Sequence, residues 1–227
     1  MAELLKPEAV LFDMDGTLTD TEKLWFQAEQ DILGEFGCSI TQDQANSYIG
    51  KALLHVAQSM IDDFAVNISA EELAQKLSSR VVELAQTKGI PWRPGAVELL
   101  ENLVNWHIPT ALVTSSVYDF AKLTVNQAPK GSLEVMVTSE STRIGKPDPM
   151  PYLFAAHKLG VEIKNCVVFE DSIPGFTSGA RSGAVTVGVP FQVELPRIPG
   201  TYFLESLAKV DFETLSQLAT RTYESEI

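Results

Sequence analysis

Short apolar runs and longer amphipathic stretches alternate along most of this chain. The runs Ala9–Asp13, Thr110–Thr114, Leu133–Thr138, Cys166–Phe169 and Ala184–Val189 have the length and composition of buried strands. Among them lie Ala96–Trp106, Pro149–Leu159 and Ile173–Arg181, whose apolar residues recur at three- and four-residue spacing and predict helices. Strands alternating with helices predict an α/β fold, a Rossmann-like doubly wound parallel sheet with helices on both faces.

The alternation breaks between the first two strands, where residues 22–88 carry only helical signals. Glu22–Phe36 places Leu24, Trp25, Ala28, Ile32 and Leu33 at helical spacing, and Ala52–Phe64 is a second such stretch. Ser69-Ala-Glu-Glu72 reads as a capping box opening a long helix to about Lys88. About 65 helical residues far exceed what one crossover between parallel strands needs. They predict an α-helical domain of residues 19–91 inserted into an α/β core of residues 1–18 and 92–227. Thr19–Thr21 mark the departure, and Gly89, Pro91, Pro94 and Gly95 the return.

The strand ends carry the chemistry. Val10–Phe12 runs into Asp13-Met14-Asp15-Gly16-Thr17, and residues two apart on a strand point the same way. Two carboxylates at the C-terminal end of a sheet strand sit where open α/β folds bind ligands, and their repulsion asks for a cation or a retained proton. The plainer reading is an Asp-Gly turn. A calcium loop is excluded, because the required late glycine and glutamate are missing, and a dinucleotide fingerprint lacks its glycines. Strand Thr110–Thr114 ends in Thr114-Ser115-Ser116, whose hydroxyls and amides suit a phosphate oxygen as well as an ordinary polar turn. Strand Cys166–Phe169 ends in Glu170-Asp171, a second acidic pair that a helix N-terminus would also favour. Lys146 precedes Pro147-Asp148-Pro149, on a loop just before a helix start. Each feature alone has a bland explanation; the order of all four at successive strand ends does not.

Composition then narrows the partners. The 227 residues are 45% hydrophobic and 21% charged, with a net charge of −13. That charge disfavours a nucleic acid or an anionic membrane as partner, and an anionic substrate would need a local cation. No apolar run reaches about 20 residues and the first residues lack a signal-peptide pattern. Cys38 and Cys166 match no metal spacing and read as buried thiols of a cytoplasmic protein.

Taken together, Asp13-Met-Asp-Gly-Thr, Thr114-Ser, Lys146-Pro and Glu170-Asp171 resemble the four motifs of the haloacid dehalogenase (HAD) superfamily. The resemblance spans nearly the whole chain, and the helical insert is similar to the cap of subfamily I, in which sugar-phosphate phosphatases and β-phosphoglucomutase-like proteins are nearest in pattern. It implies a phosphoric monoester hydrolase acting on a small phosphate ester, with Asp13 as nucleophile and Asp15 as general acid and base. The dehalogenases need only the first acid, so Asp15 points to phosphoryl transfer. The resemblance also implies Mg²⁺ held by Asp13, Asp15 (through its carbonyl) and Asp171, with Glu170 orienting that shell or binding through water. Thr114 and the Ser115 amide would hold phosphate oxygens, and Lys146, a third catalytic residue, would neutralise the phosphate charge and the Asp13 carboxylate. In the cap, Lys51 after Tyr48-Ile49-Gly50 matches a basic residue that touches substrate in related proteins, against the reading of a solvated lysine. Trp25, Phe26 and His55 are candidates for the cap wall, His55 fitting better as a half-buried packing residue. His107, His157 and Trp92 read as structural.

Two readings stay beside the phosphatase. A β-phosphoglucomutase-type isomerase would have a histidine where this chain has Trp25, and a lysine-asparagine pair where it has Val117 and Tyr118; both departures count against it. A receiver-like signalling module also uses a phospho-accepting aspartate, but lacks the insert and places its acidic pair on another strand. Nothing in the sequence points beyond a monomer or weak dimer.

Overall fold

Four consecutive apolar residues, Ala9–Phe12, have no exposed surface and form β1, the central strand. The computed structural model describes residues 5–48 and 51–225. After β1 come helices α1 (Glu22–Glu35), α2 (Gln42–Asn46), α3 (Leu53–Phe64) and α4 (Ala70–Lys88). The chain continues as α5 (Ala96–Asn105), β2 (Thr110–Val113), α6 (Tyr118–Gln127), β3 (Val135–Val137), α7 (Met150–Leu159), β4 (Cys166–Glu170), α8 (Ile173–Ser182), β5 (Val185–Gly188), β6 (Tyr202–Phe203) and α9 (Phe212–Ala219).

The strands pair in the order β3-β2-β1-β4-β5-β6, all parallel. Alternate residues of β1 serve opposite faces, as a strand period of two demands. Val10 and Phe12 join Phe169, Leu100, Leu103 and Leu215 on one side, with Phe12 and Phe169 rings stacked 5.4 Å apart. Ala9 and Leu11 join Val113, Val168, Tyr152 and Ala155 on the other. The expected Rossmann-like α/β architecture is therefore the observed one. β6 has two residues and no apolar run to announce it, and the sequence reading did not include it.

The helices after β1 have a core of their own, built on Leu33, Ala57, Met60, Leu73 and Leu77. Trp25 packs against both this cluster and the sheet core, meeting Phe120 edge to face at 5.7 Å. The segments entering and leaving the insert run side by side: Arg93 N–H donates to Leu18 O (2.9 Å) and Asp20 N–H to Pro91 O (2.7 Å), with a bridge between Thr19 and Trp92.

Several local expectations change. Ser69 caps α4 by accepting from Glu72 N–H (3.2 Å), but the reciprocal box forms at Thr41 and Gln44, which open α2. His55 is exposed rather than half-buried, because the apolar face of α3 is carried by Val56, Ala57 and Met60. Cys166 is buried as expected and Cys38 only half-buried; both are free thiols. Among the described residues no helix is long and apolar enough to cross a membrane.

Candidate active site

The C-terminal ends of β1, β2 and β4 converge because these strands are adjacent and parallel. Asp13 follows β1, Thr114 follows β2, and Glu170 ends β4 with Asp171 next to it. Lys146 reaches the same point from the loop before α7. Its ammonium donates to Asp13 Oδ1 (2.5 Å), Glu170 Oε1 (2.7 Å) and the Val113 carbonyl (2.8 Å). Three donors and three acceptors fix the lysine head, and its side chain is 4% exposed.

Glu170 is fully committed. Oε1 also accepts from the Tyr152 hydroxyl (2.7 Å), and Oε2 from the Asp171 amide (3.2 Å) and the Ser172 amide and hydroxyl (3.4 and 3.2 Å). A Cβ at Gly175 would lie 1.7 Å from Glu170 Oε1, so the glycine in the first turn of α8 makes room for this carboxylate. Asp171 is held more lightly, accepting only from Thr17 Oγ1 (3.0 Å) among the described residues. Gly16, at φ +87°, lies so close to Asp171 that a Cβ would come within 2.0 Å of Oδ2.

Asp15 faces a different set of groups. It accepts from Thr21 Oγ1, from Ser116 Oγ (2.7 Å) and, at 3.5 Å, from Thr114 Oγ1. The Thr114 hydroxyl in turn accepts from the Ser116 amide (3.0 Å). Thr21 and Tyr152 were not singled out in the sequence as site residues, and Thr17 and Ser116 entered only as parts of their motifs, without the partners found here.

Too many acids share this space for one lysine. Burial and the neighbouring Glu170 push Asp13 up to about 7, against the pull of Lys146. Asp171 is raised for the same reasons, by burial and by Asp13 and Glu170. Asp15 is raised by burial and restrained by hydrogen bonds from Thr21, Ser116 and the Trp25 side chain. Carboxylate oxygens of Asp13, Glu170 and Asp171 lie within 4.8 Å of one another, all three buried. An all-oxygen donor set with surplus negative charge fits a hard divalent cation. Both Glu170 oxygens already accept hydrogen bonds, whereas Asp13 and Asp171 accept fewer among the described residues and could offer oxygens to such an ion.

A chamber opens between this cluster and the helical insert. Asp13, Asp15, Lys146 and Thr114 line its floor, with Ser115 and Asp171; Trp25, Phe26 and Lys51 are on its insert side. The Lys51 ammonium stands 5.6 Å from the Tyr48 ring centroid. Ile49 and Gly50, which led to Lys51 in the sequence, lie outside the described residues. His55 is not part of the lining. Glu22 and Glu29 on α1 are, and the sequence reading passed over both.

A parallel sheet whose switch-point strand ends gather a paired aspartate, a threonine, a lysine and a second acidic pair defines a class. The profile of haloacid dehalogenase-like hydrolases matches residues 10–189, and the chain belongs to that family. It is 31% identical to hexitol phosphatase A of Escherichia coli (strain K12), over 86% of this chain and 88% of that protein. It is 30% identical to validoxylamine A 7'-phosphate phosphatase of Streptomyces hygroscopicus subsp. limoneus, over 90% and 91%. Its fold is similar to a β-phosphoglucomutase structure from Clostridium difficile, with a TM-score of 0.78 at 20% identity, over 95% of this chain and 98% of that one. The enzyme class expected from the motifs, a phosphoric monoester hydrolase, is the class in which this family and its phosphatase relatives place the chain.

Proposed function

We propose that this chain is a Mg²⁺-dependent phosphatase of small phosphomonoesters, sugar phosphates above all, working through an aspartyl phosphate on Asp13. The observation that carries the reading is the division of labour between Asp13 and Asp15. Asp13 is bound to Lys146 among the acidic cluster, whereas Asp15 is bound to hydroxyls on the opposite side. These different partners support a reading in which Asp13 meets phosphorus and Asp15 moves a proton.

In the first half-reaction an Asp13 oxygen attacks phosphorus and the ester oxygen leaves with a proton from Asp15. In the second, Asp15 takes a proton from water, the water oxygen attacks phosphorus, and the Asp13–phosphorus bond breaks to release inorganic phosphate. Lys146 balances charge on Asp13 and on the phosphoryl oxygens, and Thr114 with the Ser115 amide orients those oxygens. Asp13, Asp171 and the Asp15 carbonyl would hold Mg²⁺, with Glu170 keeping Asp171 and Lys146 in place. Bound there, the metal would offset the surplus acidic charge and draw in the anionic ester.

Residues 19–91 act in this reading as a cap over an α/β core of residues 1–18 and 92–227, shedding water and choosing the substrate. Lys51 contributes to that choice from the cap. The enzyme would work in the cytoplasm as a monomer or weak dimer. The isomerase alternative loses ground at three positions. Trp25 is packed on Phe120, Val117 is a half-buried residue capping α6, and Tyr118 is an exposed residue of that helix.

Release of inorganic phosphate from p-nitrophenyl phosphate and from a panel of sugar and polyol phosphates tests the reading. Mg²⁺-dependent hydrolysis is expected, with no conversion of β-glucose 1-phosphate to glucose 6-phosphate. Efficient isomerisation with little phosphate release would establish the mutase instead, and stable phosphorylation without turnover would establish a receiver.

A further inference from the structure

Glu29 is out of place for an insert residue. Only 6% of its surface is exposed, and its Oε2 has no hydrogen-bond partner among the described residues. A buried carboxyl without a partner is costly, and proteins seldom keep one without a use. Glu29 also lines the chamber that holds Asp13 and Asp15. The neighbouring Tyr48 hydroxyl is taken by Asp63 (2.6 Å), and Lys51, elsewhere in the chamber lining, forms no ion pair among the described residues.

Its position along α1 adds a distance. Glu22, seven residues earlier, lies on the same helix face and interacts electrostatically with both Asp15 and Glu29. Two helical turns separate the Glu22 and Glu29 backbones by about 10 Å. Of the two, only Glu22 feels Asp15, so Glu29 lies farther along α1 from the reaction centre. Trp25 and Phe26 line the wall beside it.

We propose that Glu29 is a specificity residue that hydrogen-bonds a hydroxyl at the non-phosphorylated end of the substrate, selecting uncharged polyhydroxylated monophosphates over those with a second anionic group. The inference rests on the phosphatase reading and deepens it. A hydroxyl both gives and takes a hydrogen bond, and so does a carboxyl near its midpoint; burial and the Glu22 charge push Glu29 up to about 8. A second phosphate or carboxylate would meet Glu22 and Glu29 across the chamber with Lys51 as its one evident offset.

The test compares wild type, Glu29→Gln and Glu29→Leu on sorbitol 6-phosphate, glucose 6-phosphate, 3-phosphoglycerate and p-nitrophenyl phosphate, with thermal midpoints for each protein. Wild type is expected to prefer the two polyhydroxylated esters to 3-phosphoglycerate. Glu29→Leu should lose about 10- to 100-fold in kcat/KM on those two, as for a lost hydrogen bond to a polar or charged group, and stay within about twofold on p-nitrophenyl phosphate. Glu29→Gln, which keeps a donor and an acceptor, should recover most of that loss. The Leu variant should melt no lower than wild type, since it removes an unpartnered buried carboxyl. Parallel losses on all esters with a lowered midpoint would show a structural residue and overturn the proposal. So would an unchanged Leu variant, or a wild type that prefers 3-phosphoglycerate or ignores both polyhydroxylated esters. Hydrolysis of p-nitrophenyl phosphate would persist in those cases; its absence in wild type would sink the phosphatase reading itself.

Discussion

The two walls of the chamber treat their polar groups in opposite ways. On the core side Lys146 makes three bonds, Glu170 accepts five, and Asp15 is enclosed by hydroxyls. On the insert side, among the described residues, Glu29 keeps an orphaned oxygen, and Lys51 rests near a tyrosine ring without a carboxylate. In the proposed function the difference separates two tasks. Groups that handle a phosphoryl transfer shared by every substrate gain from being fixed beforehand. Groups that recognise the variable remainder of a substrate are left with unmet hydrogen bonds, which the right ligand completes.

The largest expected effect lies on the fixed wall. Asp13→Asn should lower turnover by roughly 10⁴-fold or more, the scale of losing a member of a catalytic unit, and abolish acid-stable labelling of the protein by substrate phosphate. Asp15→Asn should cripple turnover as well, yet leave Mg²⁺ affinity measured by calorimetry within about threefold, because its predicted contact to the metal is a backbone carbonyl. Label trapped on the Asp13→Asn protein would remove Asp13 from the nucleophile's place.

A smaller effect follows from the unequal bonding of the two acids after β4. Among the described residues Asp171 has one hydrogen bond and Glu170 several, so Asp171 has the more available ligand atoms. EDTA should silence the enzyme and Mg²⁺ restore it, and Asp171→Ala should raise the Mg²⁺ needed for half-activity by about 10- to 100-fold. Glu170→Gln should instead lower the thermal midpoint, since it breaks a buried pair with Lys146. Equal Mg²⁺ requirements for wild type and Asp171→Ala would erase the distinction.

The smallest effect belongs to the open wall and is one of slope. Glu29 sits at about 8 in the folded protein against an ordinary 4.5. Between these values the folded state keeps a proton that the unfolded chain has lost, so this group's contribution to stability falls as pH rises through that window. Glu22, raised to about 7 by burial and Asp15, acts in the same direction. Denaturation midpoints taken at about pH 5, 6.5 and 8 should decline less steeply for Glu29→Gln than for wild type. Identical slopes would mean that Glu29 titrates as an ordinary surface acid.

The amino-acid sequence by itself determined the alternating architecture, the long strand-ending motifs and the helical insert after β1. Those features are periodic or local: burial on both faces of a parallel sheet writes continuous apolar runs, three of the four motifs sit where such runs stop, and the Lys146 motif sits just before a helix start. Asp13, Asp15, Lys146 and Asp171 could be named for that reason. Only the tertiary structure decided which partners each of them has. Tyr152 is an unremarkable helix residue until α7 packs on the sheet and brings its hydroxyl to Glu170. Ser116 and Thr17 likewise gain their partners, Asp15 and Asp171, only when the ends of β2 and β4 meet the end of β1. His55 went the other way: an aromatic in an apolar stretch looked half-buried, but the face that α3 turns inward excludes it. Glu29 is the clearest case. In the sequence it is one acid among several on an amphipathic helix, and only the packing of α1 against the rest of the insert encloses it beside the chamber without a partner. Periodicity reports which face of a helix is buried, but which buried polar atom is left waiting depends on contacts between segments far apart in the chain.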